Sequence, residues 1–367
     1  MKKYFLLISL FFLLFFFISI SNPPVRASDI QIGGQLDTSI SGFYDSELGF
    51  GLFPQANLDL ELFLPSQTNY EIKCAGYFFT DIAGGKVDFY WKKLYWKHRF
   101  ENMHLTIGRQ PISWSFGSLL NPADYTLGAV ALDEDYNAKY QNAMEIYFPI
   151  NWNTGLSLVA SLPDNNKNLK VGLRGRTLIS NFDVTINYVQ ENAIADDPGK
   201  QRFAVTTKGD IGSFGVYGAV AYYREEINSF SFLAGADYSY FFQAGNQLYF
   251  QAEYLNVPPK ILSQITGSMM TEQQQREEQN VSLLVSNTSY QIDEFSSISL
   301  TFMNNFSDSS KLIMPAYSNQ LNTNTTLNIQ AGLMTEGKQR IIDEPLLKSI
   351  FGELSQVFIE VGLNYRF

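Results

Sequence analysis

The sequence predicts an all-β fold, a transmembrane antiparallel up-and-down β-barrel of about 18 strands, with 16 as the alternative count. Three observations predict it. The last eleven residues, 357–367, alternate strictly: Val357, Ile359, Val361, Leu363, Tyr365 and Phe367 share one face, and Phe358, Glu360, Gly362, Asn364 and Arg366 share the other. Segments of the same kind recur along the chain. The connections between them sort by parity into a short set and a long set.

The length of the terminal segment is informative. Strands of soluble sheets run to about 5–6 residues, whereas a tilted membrane-spanning strand needs about 9–11. An edge strand of a soluble sandwich is the alternative. In lipid no backbone polar group can stay unpaired, so a spanning strand requires partners on both edges and the sheet must close.

Taken in order, the alternation opens at 31–44, where Leu36, Thr38 and Ile40 oppose Gln35, Asp37, Ser39 and Ser41. The second segment is the clearest. Ala56, Leu58, Leu60, Leu62 and Leu64 share one face, and Gln55, Asn57, Asp59 and Glu61 the other. A soluble core would bury such a face too, but an unbroken aliphatic row suits lipid. Residues 65–69 turn the chain, and 70–80 returns with Glu71 and Lys73 on its polar face. Segments 87–100 and 103–110 follow, joined through Glu101-Asn102. The pattern resumes at 141–149, 154–162, 169–179 and 182–190. In the third of these, Leu169, Val171, Leu173 and Thr177 oppose Lys170, Arg174 and Arg176. It continues through 201–209, 214–224, 230–241 and 247–256, then 280–291, 295–305, 311–319, 325–334 and 355–367.

The connections test this count. If the first strand starts at the periplasm, the periplasmic links are 65–69, 101–102, 150–153, 180–181, 210–213, 243–246, 292–294 and 320–324, all of them short. The opposite set holds every long connection: 111–140, 257–279 and 335–354. Short periplasmic turns with long external loops are a mark of outer-membrane barrels. A miscount by one would scramble the sorting; a miscount by two would not.

Composition agrees. Residues 1–27 carry Lys2 and Lys3, an apolar run from Tyr4 to Ile20 broken by Ser9 and Ser19, and Val25-Arg26-Ala27 after Pro23-Pro24. That is the pattern of a secretory signal peptide cleaved before Ser28; the two prolines oppose the alternative of an uncleaved anchor. Residues 28–367 then form one barrel domain, with no composition break for a second. Without Lys2, Lys3 and Arg26 there are 23 basic against 36 acidic residues, a net of about −13. Such a balance disfavours nucleic acid, whose binding rests on Lys and Arg neutralising phosphates. Of these 340 residues 48 are aromatic, enough for girdles at two membrane interfaces. The single cysteine, Cys74, excludes an intramolecular disulfide and a cysteine metal cluster. No metal or other cofactor is expected.

The terminal strand, ending on Tyr365-Arg366-Phe367, resembles the last strand of bacterial outer-membrane barrels. That resemblance implies that Tyr365 and Phe367 serve as a recognition signal for the barrel-insertion machinery. A second stretch carries a further resemblance: Gly108-Arg109-Gln110-Pro111, then Trp114, Ser115, Phe116 and Gly117, then Asn121-Pro122-Ala123-Asp124. It resembles a segment of Gram-negative porin-like barrels in which Gly-Arg-Gln ends a strand and Trp-Gly and Asn-Pro-x-Asp follow. Here two residues separate Trp114 from Gly117. The resemblance implies an outer-membrane location, lipid around the barrel, and passage of small hydrophilic solutes. Homotrimers are common among general porins, and no feature of the sequence decides for or against one.

The third external loop of general porins narrows their channel, and by the strand count 111–140 is that loop here. Pro111 and Pro122 stiffen it, and Trp114, Phe116 and Tyr125 give it apolar surface to bury. Asn121 and Asp124 can then satisfy backbone groups inside the lumen. A lid without a role in selection is the alternative. Asp133, Glu134 and Asp135 in the same loop could oppose Lys170, Arg174 and Arg176 across a constriction and set up a transverse field; a solvated acidic rim is the alternative. Arg109 would join them only through a bulge near Gly108, because strict alternation from Leu105 and Ile107 turns it outward.

Enzymatic barrels need a reactive constellation, and the material for one is poor. His98 and His104 are the only histidines, and both flank the turn at Glu101-Asn102. No Gly-x-Ser-x-Gly elbow, phosphate loop or His-Glu-x-x-His motif occurs. The expectation is a non-enzymatic, passive porin-like channel. Its motivation is a polar interior of mixed charge in a barrel wide enough for water. The alternative is a blocked barrel with a structural or surface-interaction role.

Overall fold

The computed structural model describes residues 30–45, 49–64, 69–81, 86–112, 140–162, 168–193, 199–224, 228–243, 245–258, 280–307, 309–335 and 355–367. The segment 1–27 lies outside them, as do Trp114, Asn121, Asp124, Asp133, Glu134 and Asp135.

The described elements are all strands, and they number 18. The first five are β1 (Gln31–Asp45), β2 (Gly49–Phe63), β3 (Tyr70–Asp81), β4 (Lys86–Arg99) and β5 (His104–Pro111). After the connection 112–139 come β6 (Tyr140–Asn151), β7 (Thr154–Leu162), β8 (Asn168–Ile179), β9 (Phe182–Ala193) and β10 (Lys200–Ile211). Next are β11 (Phe214–Arg224), β12 (Ser229–Phe241), β13 (Gln247–Val257) and β14 (Val281–Gln291). The last four are β15 (Ser296–Asn305), β16 (Lys311–Asn322), β17 (Thr325–Thr335) and β18 (Ser355–Arg366). Each pairs antiparallel with its sequence neighbours, and β18 pairs with β1, so one 18-stranded sheet closes on itself. Closure removes both sheet edges.

Alternation gives the wall two faces of inverted character. Leu36 lies opposite Leu58, which lies opposite Phe78, all on the outside. The outward apolar side chains are the exposed ones, such as Ile186 at 62% and Phe230 at 61%. Inward residues are the buried ones, including polar Glu253 and Ser161 at 0%. A water-soluble sandwich has the opposite arrangement.

One rim carries the tight turns: 152–153, Ser180-Asn181, Gly212-Ser213 and 323–324. Two of them contain left-handed residues, Ser180 (φ 58°) and Gly212 (φ 63°). At the 292–295 turn, Asp293 Oδ1 accepts the backbone N–H groups of Phe295 (2.8 Å) and Ser296 (2.7 Å). The Phe295 N–H is the main cause that holds its carboxyl below the usual aspartate value. Phe367 reaches the same rim and exchanges two 3.1 Å backbone hydrogen bonds with Gly34. The strand ends Pro111 and Tyr140, Val257 and Val281, and Thr335 and Ser355 lie at the other rim.

Two irregularities stand out in the ladders. In β4 an extra residue, Lys92, sits between Trp91, opposite Gly76, and Lys93, opposite Ala75. Between β16 and β17 the pairing lapses from Ile313↔Leu333 to Ala316↔Gln330, around Pro315.

Candidate functional site

The lumen face divides around the barrel into a charged part and an apolar part. The charged part begins on β18 and β1. Asn364 hydrogen-bonds Asp37, which also accepts from Gln35 Nε2 at 3.1 and 2.9 Å. Gln330 Nε2 donates to Glu360 at 3.0 Å. On β2 to β4, Lys93 lies 3.8 Å from Glu61, and Arg99 lies 2.7 Å from Glu71. The β4 bulge keeps both Lys92 and Lys93 on the inside. Lys92 pairs with Asp59, and its ammonium stands 4.6 Å from the centre of the Tyr77 ring.

Lys170, Arg174 and Arg176 descend the lumen face of β8, opposite Ser161, Ser157 and Gly155 on β7. On the other side they face Glu191, Asn187 and Thr185 of β9. The Arg176 guanidinium is forked onto Asp183, with Nε at 3.0 and 2.8 Å from the two carboxylate oxygens. Arg202 on β10 is buried 3.4 Å from Glu191. The basic row expected from alternation is therefore present on the inner face, each cation beside polar or acidic neighbours.

Arg109 is not in that group. The register of β5 runs unbroken from His104↔Tyr147 to Pro111↔Tyr140. Arg109 stays in the outward row, opposite Leu94 and Asn142, and its Nε donates to the Trp91 carbonyl. Gly108 has a left-handed φ of 125°, with its Cα hydrogens against the Leu94 carbonyl, but inserts no extra residue. The nearby bulge, at Lys92, belongs to the ladder of β4 with β3. The two histidines also separate. His98 is outward between Trp96 and Phe100, with ring centroids at 5.5 and 4.2 Å, whereas His104 is inward beside Tyr147. They stand on opposite faces of the wall and cannot act on one substrate.

Alternation alone did not reveal the apolar part. Tyr217, Ala219, Ala221, Tyr223, Leu233, Leu255, Val257, Val281, Leu283 and Val285 all point inward from β11 to β14 and are buried. Towards the long-loop rim the polarity of these strands inverts: Leu255 and Val257 face in while Asn256 faces out, and Val281 and Leu283 face in while Ser282 faces out. That inversion is the signal readable in the sequence. Below this wall Glu253 is fully buried, accepting from Tyr217 Oη at 2.7 Å and Gln251 Nε2 at 3.2 Å. A smaller inward cluster joins Ile112, just past β5, to Ala143, Val159 and Val189. Gly172 lies between Val159 and Val189 and leaves them free to approach.

Among the described residues no group of His, Cys, Asp and Glu could hold a metal ion. At the closing seam, Tyr365 and Phe367 face outward with ring centroids 6.3 Å apart.

No family model matches the chain, and no curated protein sequence matches it. Solved structures with the same fold do match. OccK2 (OpdF) of Pseudomonas aeruginosa, solved in complex with glucuronate, superposes with a TM-score of 0.61 at 8% identity, over 94% of this chain and 99% of that one. The outer-membrane protein Wzi of Escherichia coli, a carbohydrate-binding β-barrel involved in group 1 capsule assembly, gives 0.59 at 14% identity, over 93% and 85%. OprB of Pseudomonas putida gives 0.55 at 10% identity, over 92% and 94%. At these identities the shared property is the fold: the chain is a closed 18-stranded barrel built like those of bacterial outer-membrane proteins.

Proposed function

We propose that this protein is a porin-like channel of the bacterial outer membrane that passes small hydrophilic solutes by diffusion. The observation that carries the reading is the inner face of β1–β4 and β8–β10. Each of these two stretches carries paired or hydrogen-bonded charged side chains, facing a lumen of a width that holds water. The outward apolar band and the aromatic pair Tyr365 and Phe367 fit a barrel set in lipid, with the short-turn rim at the periplasm. Tyr365 and Phe367 are then the signal for the insertion machinery. The solved porins of the same fold support the channel class. We read the barrel as a passive channel that carries out no catalysis.

The loop 111–140 narrows this channel. Support comes from Ile112, which leaves β5 with its side chain packed inward on Ala143 and in one cluster with Val159 and Val189. A chain that starts inward continues along the lumen wall more readily than over the rim. Trp114, Asn121, Asp124, Asp133, Glu134 and Asp135 then face Lys170, Arg174 and Arg176 across the constriction. Planar-bilayer recording of the refolded protein tests the reading. Discrete conductance steps are expected, larger when 113–139 is replaced by a short Gly-Ser link.

A second reading rests on the buried apolar wall of β11–β14. Inward residues that are 0–8% exposed mean that the lumen is filled beside them. If the filling is complete, the barrel is structural or presents its external loops to a partner. Negligible conductance both before and after removal of 113–139 would favour it.

A further inference from the structure

We infer that the outer face of β14–β17 holds one acyl chain of a phospholipid in a groove made by the defect at Pro315. The inference rests on reading the barrel as membrane-embedded, and not on which solute crosses it.

The defect follows from covalent structure. Pro315 still pairs with Leu300 on β15, so its missing N–H falls on the β17 side. There the ladder skips Met314 and Pro315 and resumes at Ala316↔Gln330. On the inside the gap is sealed. Phe358 of β18 lies opposite Gly332, and its ring occupies the space a Cβ on Gly332 would need. On the outside no comparable side chain among the described residues covers it. A groove of about 560 Å³ runs there, between Leu300, Pro315, Ile329 and Ala331, with Tyr290 and Tyr317 towards the short-turn rim.

The surroundings select the occupant. Leu300, Ile329 and Ile298 are outward and 37–47% exposed, so the groove opens on the face that meets hydrocarbon. Its floor is apolar, and at Ala331 the small side chain leaves room for a methylene chain. At the rim end it is amphipathic: Asn246 Nδ2 donates to the Tyr290 hydroxyl at 3.1 Å and to the Ile292 carbonyl at 2.6 Å. A chain with an apolar tail and a polar head at the short-turn rim fits that gradient. In the proposed orientation that head lies at the periplasmic surface, so the lipid belongs to the inner leaflet.

Native mass spectrometry of the full barrel, with palmitoyl-oleoyl-phosphatidylethanolamine as the probe, tests this. Wild type is expected to keep one phospholipid at a detergent level that strips the others. Ala331→Phe, which fills the groove, should weaken that retention about tenfold, equivalent to roughly 1.4 kcal/mol. Ala234→Phe, on the outward face of β12, should leave it unchanged. Folding of each variant is read from migration on unheated gels, and Ala331→Leu replaces the Phe variant if that one fails to fold. Equal retention by all three proteins overturns the proposal. So does a wild-type oligomer that Ala331→Phe dissociates with no change in lipid, since the groove is then an interface between copies. Conductance of the same samples reports the channel separately, so failure of one reading is distinguishable from failure of the other.

Discussion

Lys92 reaches Asp59 across β3 because the β4 bulge turns it into the lumen, one strand beyond its own neighbour. Its ammonium also lies over the Tyr77 ring. The Lys92 side chain is 6% exposed and the Asp59 side chain 30%, so the pair is screened by water only from the acid's side. Lys92→Met leaves Asp59 without that counter-charge and is expected to cost about 1–3 kcal/mol of refolding stability. Adding Asp59→Asn should restore much of the loss, because the double variant has no orphan charge. Equilibrium unfolding in urea with the barrel in vesicles measures both. A double variant no more stable than the single would refute the pairing.

The seam at Gly332 is a test of close approach. A Cβ there collides with the Phe358 ring, whereas one at Gly175 meets nothing within 4 Å. Gly332→Ala is expected to destabilise by about 1–3 kcal/mol through a displaced ring. Gly175→Ala, on the outward face of β8, should stay within about 0.5 kcal/mol. The same unfolding assay compares them, and equal effects would remove Phe358 as the seal of the Pro315 defect.

Charge in the channel is testable at β8. Replacing Lys170, Arg174 and Arg176 together by Gln removes the basic row facing the proposed constriction. The anion-to-cation permeability ratio, from reversal potentials in a salt gradient, should fall severalfold. Arg109→Gln, on the outer face, should leave it unchanged. A triple variant with the wild-type ratio would place the selective step elsewhere.

Acid should loosen the 292–295 turn. Asp293 is held below its ordinary value of 3.8 by the N–H groups it accepts, so its contribution is complete above that value and fades as pH falls through the folded one. Wild type and Asp293→Ala are therefore expected to differ in thermal midpoint at neutral pH and to converge in strong acid. A gap that persists at low pH would show that the turn does not depend on the carboxylate.

The sequence alone carried the class of this protein a long way. The row of Ala56, Leu58, Leu60 and Leu62 and the strict alternation of 357–367 are local properties of a pleated chain. Period-2 burial needs only the adjacent residues to be visible, and the structure returns the same strand count and the same closure of the last strand on the first. Lys170, Arg174 and Arg176 were placed on the inner face by the same rule.

What the tertiary structure decided lies where that rule is locally broken or locally silent. Arg109 keeps the outward face that strict alternation gives it, because the ladder shows no bulge at Gly108, whereas Lys92 turns inward only through a bulge opposite Gly76 and Ala75 on β3. Alternation carries Leu255, Val257, Val281 and Leu283 inward, but only the register sets Leu255 between Leu233 and Leu283, and Val257 opposite Val281, as one buried wall. The groove at Pro315 needs the four strands β14–β17 at once, with the ring of Phe358 closing the inner side. The face on which a side chain lies is a one-strand property that periodicity encodes. The partner it meets across the sheet is set by closure, which brings β18 to β1 and which no window of sequence contains.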